Sequence, residues 1–401
     1  MRWVIKNSCA RVIFITLALL FSCKDRYDTV EEYWKRPIKP NGEPPKTYSA
    51  LEASLDPKAC GSCHAEKYTE WQQSLHSKTI SSGLLWQMRM MDQLSANKCM
   101  DCHAPLSEQK ALMAIYMNYP SRPQKPAPAY ITDNLHLQGV ICAACHVREH
   151  TRYGPPPTKT LPSVVPHGGF KIRDFFQDSK FCAACHQFPP NGEKTNGKLR
   201  QDTYEEWKKS IFYSRGITCQ SCHMPDRKHT WKGIHDRNMV LSALRIEVWV
   251  EEGNFNIELT NVGAGHNLPT YMVPKIVVRV FQKDRKIIKG IVGWMVNEYD
   301  LGKEMFDTRI APNRSLIFTG KLIDKKEPIK VLIIVEPEEH YYRAFGRYLK
   351  DNKNNLSPIV LSLLEDAVKR ARKTNYILLS SILNPERLTK GRYILNYGTT
   401  F

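Results

Sequence analysis

The sequence predicts a chain in two parts: a mainly α-helical and irregular part, followed by an antiparallel β-sandwich with a mixed C-terminal extension. Two observations separate the parts. The pentapeptide C-x-x-C-H occurs five times between residues 60 and 223, and no cysteine follows residue 222. From about Leu244 the apolar residues recur at every second position, which is typical of strands. With 401 residues, the chain is long enough for two domains.

The repeated pentapeptide is the attachment signature of c-type haem, in which two thiols bind the porphyrin covalently and the imidazole binds the iron. Zinc sites and disulfides also use paired cysteines, but neither requires a histidine after every second cysteine. Ten of the twelve cysteines lie in these motifs, about 40 residues apart, so we predict five covalently attached haem c groups. The predicted attachment residues are Cys60, Cys63, Cys99, Cys102, Cys142, Cys145, Cys182, Cys185, Cys219 and Cys222, with proximal histidines His64, His103, His146, His186 and His223.

Residues 1–22 have the form of a secretory signal peptide, because basic residues precede an apolar run from Val12 to Phe21. That run is too short to span a membrane as a helix. It ends in Leu20-Phe21-Ser22-Cys23, which resembles a lipobox, so Cys23 is the predicted lipid anchor to a membrane. Ordinary cleavage that leaves Cys23 as a free thiol is the alternative. Either way we expect an exported protein, facing the periplasm or held at the outer membrane as a lipoprotein.

The expected elements follow from local composition. Residues 23–59 contain five prolines and predict an extended, mobile tether. Residues 60–240 are predicted to form the pentahaem cytochrome domain, with helices over 65–76 and 84–94, where no glycine or proline occurs. The proline-rich stretches 120–128 and 155–166 predict irregular loops.

Alternating apolar residues over 244–250, 257–259, 276–280 and 329–335 assign residues 241–336 to the β-sandwich domain. The remaining residues, 337–401, are predicted to form a mixed helical extension. A helix is expected there because Val360, Leu364 and Ala367 recur at helical spacing.

The second axial ligand of each iron decides the chemistry. Two imidazoles saturate the iron and suit electron transfer, whereas an open position allows a small molecule to bind and react. The predicted distal ligands, chosen by their closeness to the motifs, are His76, His136, His229, His235, His150 and His167. His340 is expected to be a surface or satisfied histidine outside the haem sites. His266 lies in a glycine-rich turn and is either a ligand or a residue that fixes its own loop.

The formal net charge of +18 favours acidic redox partner proteins, anionic substrates or anionic lipid, and nucleic acid is a poor fit for an exported protein. Electron transfer is the favoured function. A reductase acting on a small nitrogen or sulfur compound at one open haem is the alternative. A third possibility is a docking protein whose sandwich binds a partner complex.

Residues 60–240 resemble the cytochrome c-552/4-type multihaem family, which includes the tetrahaem electron acceptor of hydroxylamine oxidoreductase. The resemblance rests on Trp71-x-x-Ser74-x-His76, Gly139-Val-Ile-Cys142, Phe181-Cys182-Ala-Ala-Cys185-His186-Gln187 and Cys219-Gln-Ser-Cys222-His223-Met224-Pro225. It implies closely stacked haems, mostly with two histidine ligands, that pass electrons along a chain. The last segment also resembles pentahaem nitrite reductases, whose catalytic haem is attached through C-x-x-C-K. That sequence does not occur in this chain, which counts against nitrite reduction.

Overall fold

The computed structural model describes residues 27–158 and 166–396. The predicted signal peptide, Cys23, the first residues of the predicted tether and most of the second proline-rich stretch lie outside these ranges. The described chain is mostly helical up to residue 243 and rich in β-structure after it. Within the two described ranges, none of the helices has the length and apolar character needed to cross a bilayer.

Short helices joined by loops build the N-terminal part. Within the described residues they are α1 Val30–Tyr33, α2 Ala50–Ala53, α3 Pro57–Gly61, α4 Ala65–Gln73, α5 Ser82–Arg89, α6 Gln93–His103, α7 Ser107–Tyr116, α8 Cys142–His146, α9 Ser179–His186, α10 Thr203–Lys208, α11 Ile211–Ser214, α12 Cys219–His223 and α13 Arg237–Ala243. Two-to-four-residue strands lie between them, at β1 Val147–Arg148, β2 Thr151–Gly154, β3 Lys171–Ile172, β4 Lys194–Thr195 and β5 Lys198–Leu199.

Four of the five motifs end a helix. The last residue of α6, α8, α9 and α12 is in each case the motif histidine, and the first motif spans the junction of α3 and α4. Helical spacing places residues i, i+3 and i+4 on one face, which is the spacing of the two cysteines and the histidine. The local fold therefore presents both thiols and the imidazole of a motif to the same side.

The helix boundaries differ from the prediction around His76. Helix α4 ends at Gln73 because Ser74 is extended and its hydroxyl bonds the Trp71 carbonyl at 2.7 Å, so His76 lies in a separate 3₁₀ turn. The helix expected over 84–94 is two helices, because Asp92 caps the start of α6 by accepting from Ser95 N at 2.8 Å.

The described part of the predicted tether is packed rather than extended into solvent. Tyr33 is 1% exposed, and its hydroxyl donates to the Cys145 carbonyl at 2.7 Å. Its ring contacts the aromatic rings of Tyr27, Trp34, Tyr153, Phe175, Phe176 and Phe181. Arg36 donates to Cys185 Sγ at 3.1 Å. Its prolines restrict the backbone, but its aromatic side chains bury enough apolar surface to hold residues 27–59 against the motif-bearing part.

Two antiparallel sheets form the C-terminal part. Their strands are β6 Leu244–Glu251, β7 Asn254–Asn261, β8 Lys275–Gln282, β9 Arg285–Val296, β10 Glu304–Asp307, β11 Ser315–Lys321, β12 Ile329–Glu336, β13 Tyr376–Leu383 and β14 Tyr393–Ile394. One sheet has the strand order β10-β9-β8-β12-β13 and the other β11-β7-β6-β14. Alternate side chains from both sheets, such as Val248 and Ile257 on one and Val278 and Val331 on the other, share one buried core.

The predicted C-terminal extension belongs in part to these sheets. Strand β13 pairs with β12, placing Ser381 opposite Val331, and β14 pairs with β6. Helices α14 Glu339–Asn352 and α15 Pro358–Lys373 pack on each other and on α5, and α16 Pro385–Leu388 follows β13. The boundary predicted at residue 336 therefore cuts through one structural unit, because the alternating pattern of β13 completes the first sheet.

Candidate functional site

The motif histidines are oriented by backbone carbonyls. His146 Nδ1 lies 2.8 Å from the Tyr153 carbonyl, His223 Nδ1 lies 2.6 Å from the Lys232 carbonyl, and His103 Nδ1 lies 3.1 Å from the Thr79 carbonyl. Metal-binding histidines usually donate one ring N–H to such an acceptor, which fixes the tautomer and leaves the other nitrogen for the metal. In these three residues the free nitrogen is Nε2.

Three of the motif histidines face a second imidazole at nearly the same spacing. The ring centroids are 6.3 Å apart for His76 and His186, 6.2 Å for His146 and His229, and 6.3 Å for His223 and His266. Imidazole nitrogens bind metal ions at about 2.0–2.1 Å, so two rings on opposite sides of one ion have centroids roughly 6.4 Å apart. The three spacings therefore fit two axial imidazoles sharing one iron.

The His76 backbone is held by the segment before the third motif. Its carbonyl accepts from Val140 N at 2.8 Å, and the Val140 carbonyl in turn accepts from Trp71 Nε1 at 2.8 Å. The planes of the His76 and His186 rings are inclined by 72°. His76 was predicted as a distal ligand from its closeness to the first motif, but the fold brings it to the fourth.

His229 is fixed by both its backbone and its ring. Its amide donates to Glu70 Oε2 at 2.8 Å, and its Nδ1 lies 2.9 Å from the Arg227 carbonyl. Its ring plane is inclined by 30° to that of His146. His229 was also predicted as a ligand, and the fold pairs it with the third motif although it follows the fifth in sequence.

His266, which the sequence left open as either a ligand or a residue that fixes its own loop, faces the fifth motif. Its Nδ1 lies 2.8 Å from the Asn267 carbonyl, and its own carbonyl accepts from Asn261 Nδ2 at 2.9 Å. Its ring lies within 14° of parallel to that of His223. The signal for it was the glycine-rich turn itself, because a Cβ at Gly265 would lie 3.0 Å from Trp207 Cδ1. Glycine therefore allows the turn to approach α10 closely enough to aim the imidazole at the fifth motif.

A buried carboxylate joins the His266 turn to the motif-bearing part. Glu206 on α10 accepts from Asn267 N at 3.0 Å, from Asn267 Nδ2 at 2.6 Å and from Thr270 Oγ1 at 2.9 Å. Its side chain is 11% exposed and also pairs with Arg309 at 3.4 Å. Burial raises the pKa of Glu206 despite the nearby Arg309 guanidinium. This carboxylate therefore anchors the residue that immediately follows His266.

The rings in these pairs are held in their neutral form. Desolvation by the surrounding protein lowers the pKa of His76 to about 3 and that of His146 to about 4. Desolvation also lowers the pKa of His266 and of His229. A histidine must be neutral to bind a metal ion, so these environments favour ligation at neutral pH.

Neither of the two remaining motif histidines has a second imidazole at the spacing of the three pairs, as far as the described part of the chain extends. His64 has a histidine outside the motifs nearby: desolvation lowers the pKa of His64, His167 lowers it further, and His167 Nδ1 lies 2.9 Å from the Gly169 carbonyl. For His103, desolvation lowers the pKa although its Nδ1 lies 3.1 Å from the Thr79 carbonyl, and no other histidine contributes to that shift.

Three predicted distal ligands are not brought to a motif histidine. His136 packs its ring 5.1 Å from that of Tyr116. His150 Nε2 lies 2.9 Å from the Gly42 carbonyl, and its ring packs on Tyr130. His235 Nε2 lies 3.3 Å from Glu338 Oε1. Among the described residues none of these rings contacts a motif imidazole, so closeness in sequence was a poor guide for them.

His340, which was expected to be a surface or satisfied histidine away from the motifs, is 5% exposed and lies beside Arg343.

Contacts between thiols give the arrangement of the motifs in space. Three pairs of thiols lie close enough to shift each other's pKa strongly, and a fourth pair interacts electrostatically. The first three pairs are Cys60 with Cys142, Cys102 with Cys185 and Cys182 with Cys219, whose helices also contact each other, and the fourth pair is Cys145 with Cys185. The first motif therefore borders the third, the third borders the fourth, and the fourth also borders the second and the fifth.

The residues fit haem c in composition and geometry. Each motif offers two thiols and an imidazole on one side, and three motifs face a second neutral imidazole at the spacing of an axial pair. Among the described residues, none of the ten motif cysteines is paired in a disulfide.

Comparisons with known proteins agree with this fit. The family described as Cytochrome c552 matches residues 41–245. A search of curated proteins found no match. Among solved structures, a penta-heme cytochrome c552 from Thermochromatium tepidum aligns with a TM-score of 0.55 at 13% sequence identity, covering 86% of this chain and 100% of that chain. At that identity the likeness concerns the fold alone.

The resemblance inferred from the motifs is therefore confirmed: the chain belongs to the cytochrome c552 family and is a multihaem c-type cytochrome.

Proposed function

We propose that this protein is an exported pentahaem cytochrome that transfers electrons in the periplasm or at an envelope membrane. The observation that carries the proposal is the set of three imidazole pairs, all 6.2–6.3 Å apart. When bound, haem c supplies a one-electron ferric/ferrous couple, and two axial imidazoles leave no position for a substrate. Such centres carry electrons rather than transform a molecule.

The ligand sets follow from these pairs. Each iron would be held by the histidine of its motif, with His229 opposite His146, His76 opposite His186 and His266 opposite His223. His167, which lowers the pKa of His64, is the distal candidate for that residue. The thiols of all five motifs would hold the porphyrins covalently. This assignment gives four irons with two histidine ligands.

The spatial arrangement of the motifs supports a continuous route for electrons through the protein. Motifs one, three and four form a row, and motifs two and five both adjoin the fourth. Electron tunnelling falls steeply with distance, so neighbouring attachment sites favour rapid exchange along the row. The fourth motif is the branching point, where electrons would divide between the second and fifth.

Mass spectrometry of intact protein, produced in a host with haem-attachment machinery, tests the cofactor count. Five haem additions are expected, because each motif offers both thiols. Three or fewer under those conditions would contradict the proposal. Rapid-mixing reduction should then show all the haems being reduced through one another, with no slow fraction isolated from the rest.

The proposed location rests on the leader, with Cys23 as the lipidated residue. A Cys23→Ser variant is expected to move from the membrane fraction to the soluble exported fraction. If parent and variant fractionate alike, the lipid anchor is not at Cys23. The high formal charge of +18 supports acidic proteins as redox partners, and electron exchange with them should slow as ionic strength rises.

One observation favours a second function. Among the described residues His103 has no second imidazole at the spacing of the three pairs and no histidine that lowers its pKa as His167 lowers that of His64, so its iron would keep an open position at which a small nitrogen or sulfur compound can react. Carbon monoxide binding to the reduced protein tests this. One molecule bound per chain, with a high-spin ferric signal in electron paramagnetic resonance (EPR), supports the second function. No binding and an entirely low-spin spectrum would leave electron transfer as the sole role.

A further inference from the structure

The indole of Trp231 touches two imidazoles that belong to different pairs. Its ring centroid lies 4.5 Å from that of His76, with the planes at 88°, and 5.1 Å from that of His229, with the planes at 76°. Edge-to-face contacts of this kind are the preferred arrangement of aromatic rings, because the positive edge of one meets the negative face of the other. The Trp231 side chain therefore packs against both imidazole rings.

The orientation of such a ring needs an external constraint. Rotation of an imidazole about χ2 has a broad, roughly two-fold energy profile, so packing decides where the plane lies. The ring of His229 has a hydrogen bond from Nδ1 to the Arg227 carbonyl at 2.9 Å. Among the described residues, no hydrogen bond to a ring nitrogen of His76 is present, so its plane depends on packing against Trp231.

The backbone carrying Trp231 is held in an uncommon conformation. Trp231 has φ +40°, and Asp226 and Arg227 in the same loop have φ +54° and +58°. Bulky residues other than glycine rarely occupy this left-handed region, and they persist there only when the surrounding structure holds them. The loop therefore keeps the indole between His76 and His229 at a conformational cost.

We propose that Trp231 is a positioning residue shared by two haem centres, and that it sets the ring planes of His76 and His229. The inference rests on the proposed ligand pairs, in which His76 serves the fourth motif and His229 the third. Because the angle between two axial imidazole planes controls the anisotropy of a low-spin ferric EPR signal, Trp231 tunes both centres at once. The effect is larger at His76, whose ring lacks the hydrogen bond that His229 has.

Three substitutions of Trp231 distinguish the effect of losing the indole ring from the effect of relieving the left-handed backbone conformation. Trp231→Leu removes the ring, Trp231→Gly removes the ring and relieves the left-handed conformation, and Trp231→Phe keeps an aromatic ring. The readout is the ferric EPR spectrum of protein with full haem loading by mass. The His223 and His266 pair, which does not contact Trp231 among the described residues, is an internal control.

We expect the Leu and Gly variants to shift the g-values of the His76 and His186 centre strongly and those of the His146 and His229 centre less. The Phe variant should stay close to the parent, and the His223 and His266 signal should not change. Unchanged spectra in the Leu variant would overturn the inference, as would a change in the Gly variant alone. Equal shifts at all three centres would also overturn it, because they would indicate a general loosening. Absence of low-spin signals in the parent would instead overturn the ligand pairs on which the inference rests.

Discussion

The rings of His223 and His266 lie 6.3 Å apart and within 14° of parallel, although one belongs to a haem motif and the other to a turn before β8. The turn between two strands of the C-terminal part thereby brings an imidazole to the motif-bearing part. Under the proposed ligand pairs, the β-rich part of the chain is a component of the haem site rather than an appended module.

Replacing His266 with alanine should leave one haem iron with an open coordination position. A His266→Ala protein is expected to lose one rhombic low-spin EPR signal, to gain a high-spin signal and to bind one more carbon monoxide per chain than the parent. His235→Ala is the matched control, because His235 faces Glu338 rather than a motif imidazole. Equal spectra for the His266→Ala protein and the parent would show that this imidazole is not a ligand.

Loss of the Glu206 carboxylate should lower the free energy of unfolding and change the EPR signal of the His223 and His266 centre. Glu206→Ala removes three hydrogen bonds to the His266 turn and is expected to cost roughly 2–3 kcal/mol in free energy of unfolding. It should also broaden the EPR signal of the His223 and His266 centre, because Asn267 is no longer anchored. Glu205→Ala is the control, since the Glu205 side chain is 41% exposed and pairs only with Lys208 among its charged neighbours on α10. Similar unfolding curves for the two variants would contradict the anchoring role.

The packing of the segment around Tyr33 can be tested by denaturation. Tyr33→Phe loses the hydrogen bond to the Cys145 carbonyl and should cost about 1 kcal/mol, whereas Tyr33→Ala leaves a cavity and should cost roughly 3–5 kcal/mol. Tyr342→Ala, at a residue that is 40% exposed, is the control. If residues 27–59 were a mobile tether, Tyr33→Ala and Tyr342→Ala would unfold alike.

The ionised carboxylate of Asp307 should make the free energy of unfolding depend on pH, in a direction that its pKa defines. Burial alone would raise the pKa of Asp307, but hydrogen bonds from Arg309 at 2.8 Å and Lys198 at 2.7 Å outweigh it and hold the pKa at about 2. A carboxyl group whose pKa is lower in the folded state stabilises the fold above its unfolded pKa of about 3.9, and that contribution is lost as pH falls toward 2.

Asp307→Asn is therefore expected to cost about 2 kcal/mol at pH 7 and progressively less below pH about 4. Unfolding measured at pH 7 and at successively lower pH checks this, with Asp284→Asn at an exposed site as the control. A penalty that grows as pH falls would contradict the assignment.

Much of the fold follows from local patterns. The motif spacing places both thiols and the histidine on one helical face, and the alternation over 244–250 and 329–335 corresponds to β6 and β12. These predictions succeed because helical and strand periodicities act within a few residues. The predicted tether failed because the burial of Tyr33 depends on rings that lie far away in sequence, such as Phe175.

Which two histidines face each other also depends on contacts between residues that are far apart in sequence. His229 follows the fifth motif but faces His146 of the third, and His76 follows the first motif but faces His186 of the fourth. Closeness in sequence identified both as ligand candidates but gave no information about which iron each would serve. It also selected His136 and His235, although their rings contact Tyr116 and Glu338.

Low-temperature EPR of the fully loaded ferric protein tests most directly whether the three imidazole pairs are axial ligand pairs. The inter-ring angles of 72°, 30° and 14° predict one highly anisotropic low-spin signal, from His76 and His186, and two rhombic low-spin signals from the other pairs. Loss of the anisotropic signal in a His76→Ala protein, with the rhombic signals retained, would assign it. A spectrum dominated by high-spin iron, or one lacking the anisotropic low-spin signal, would contradict the account.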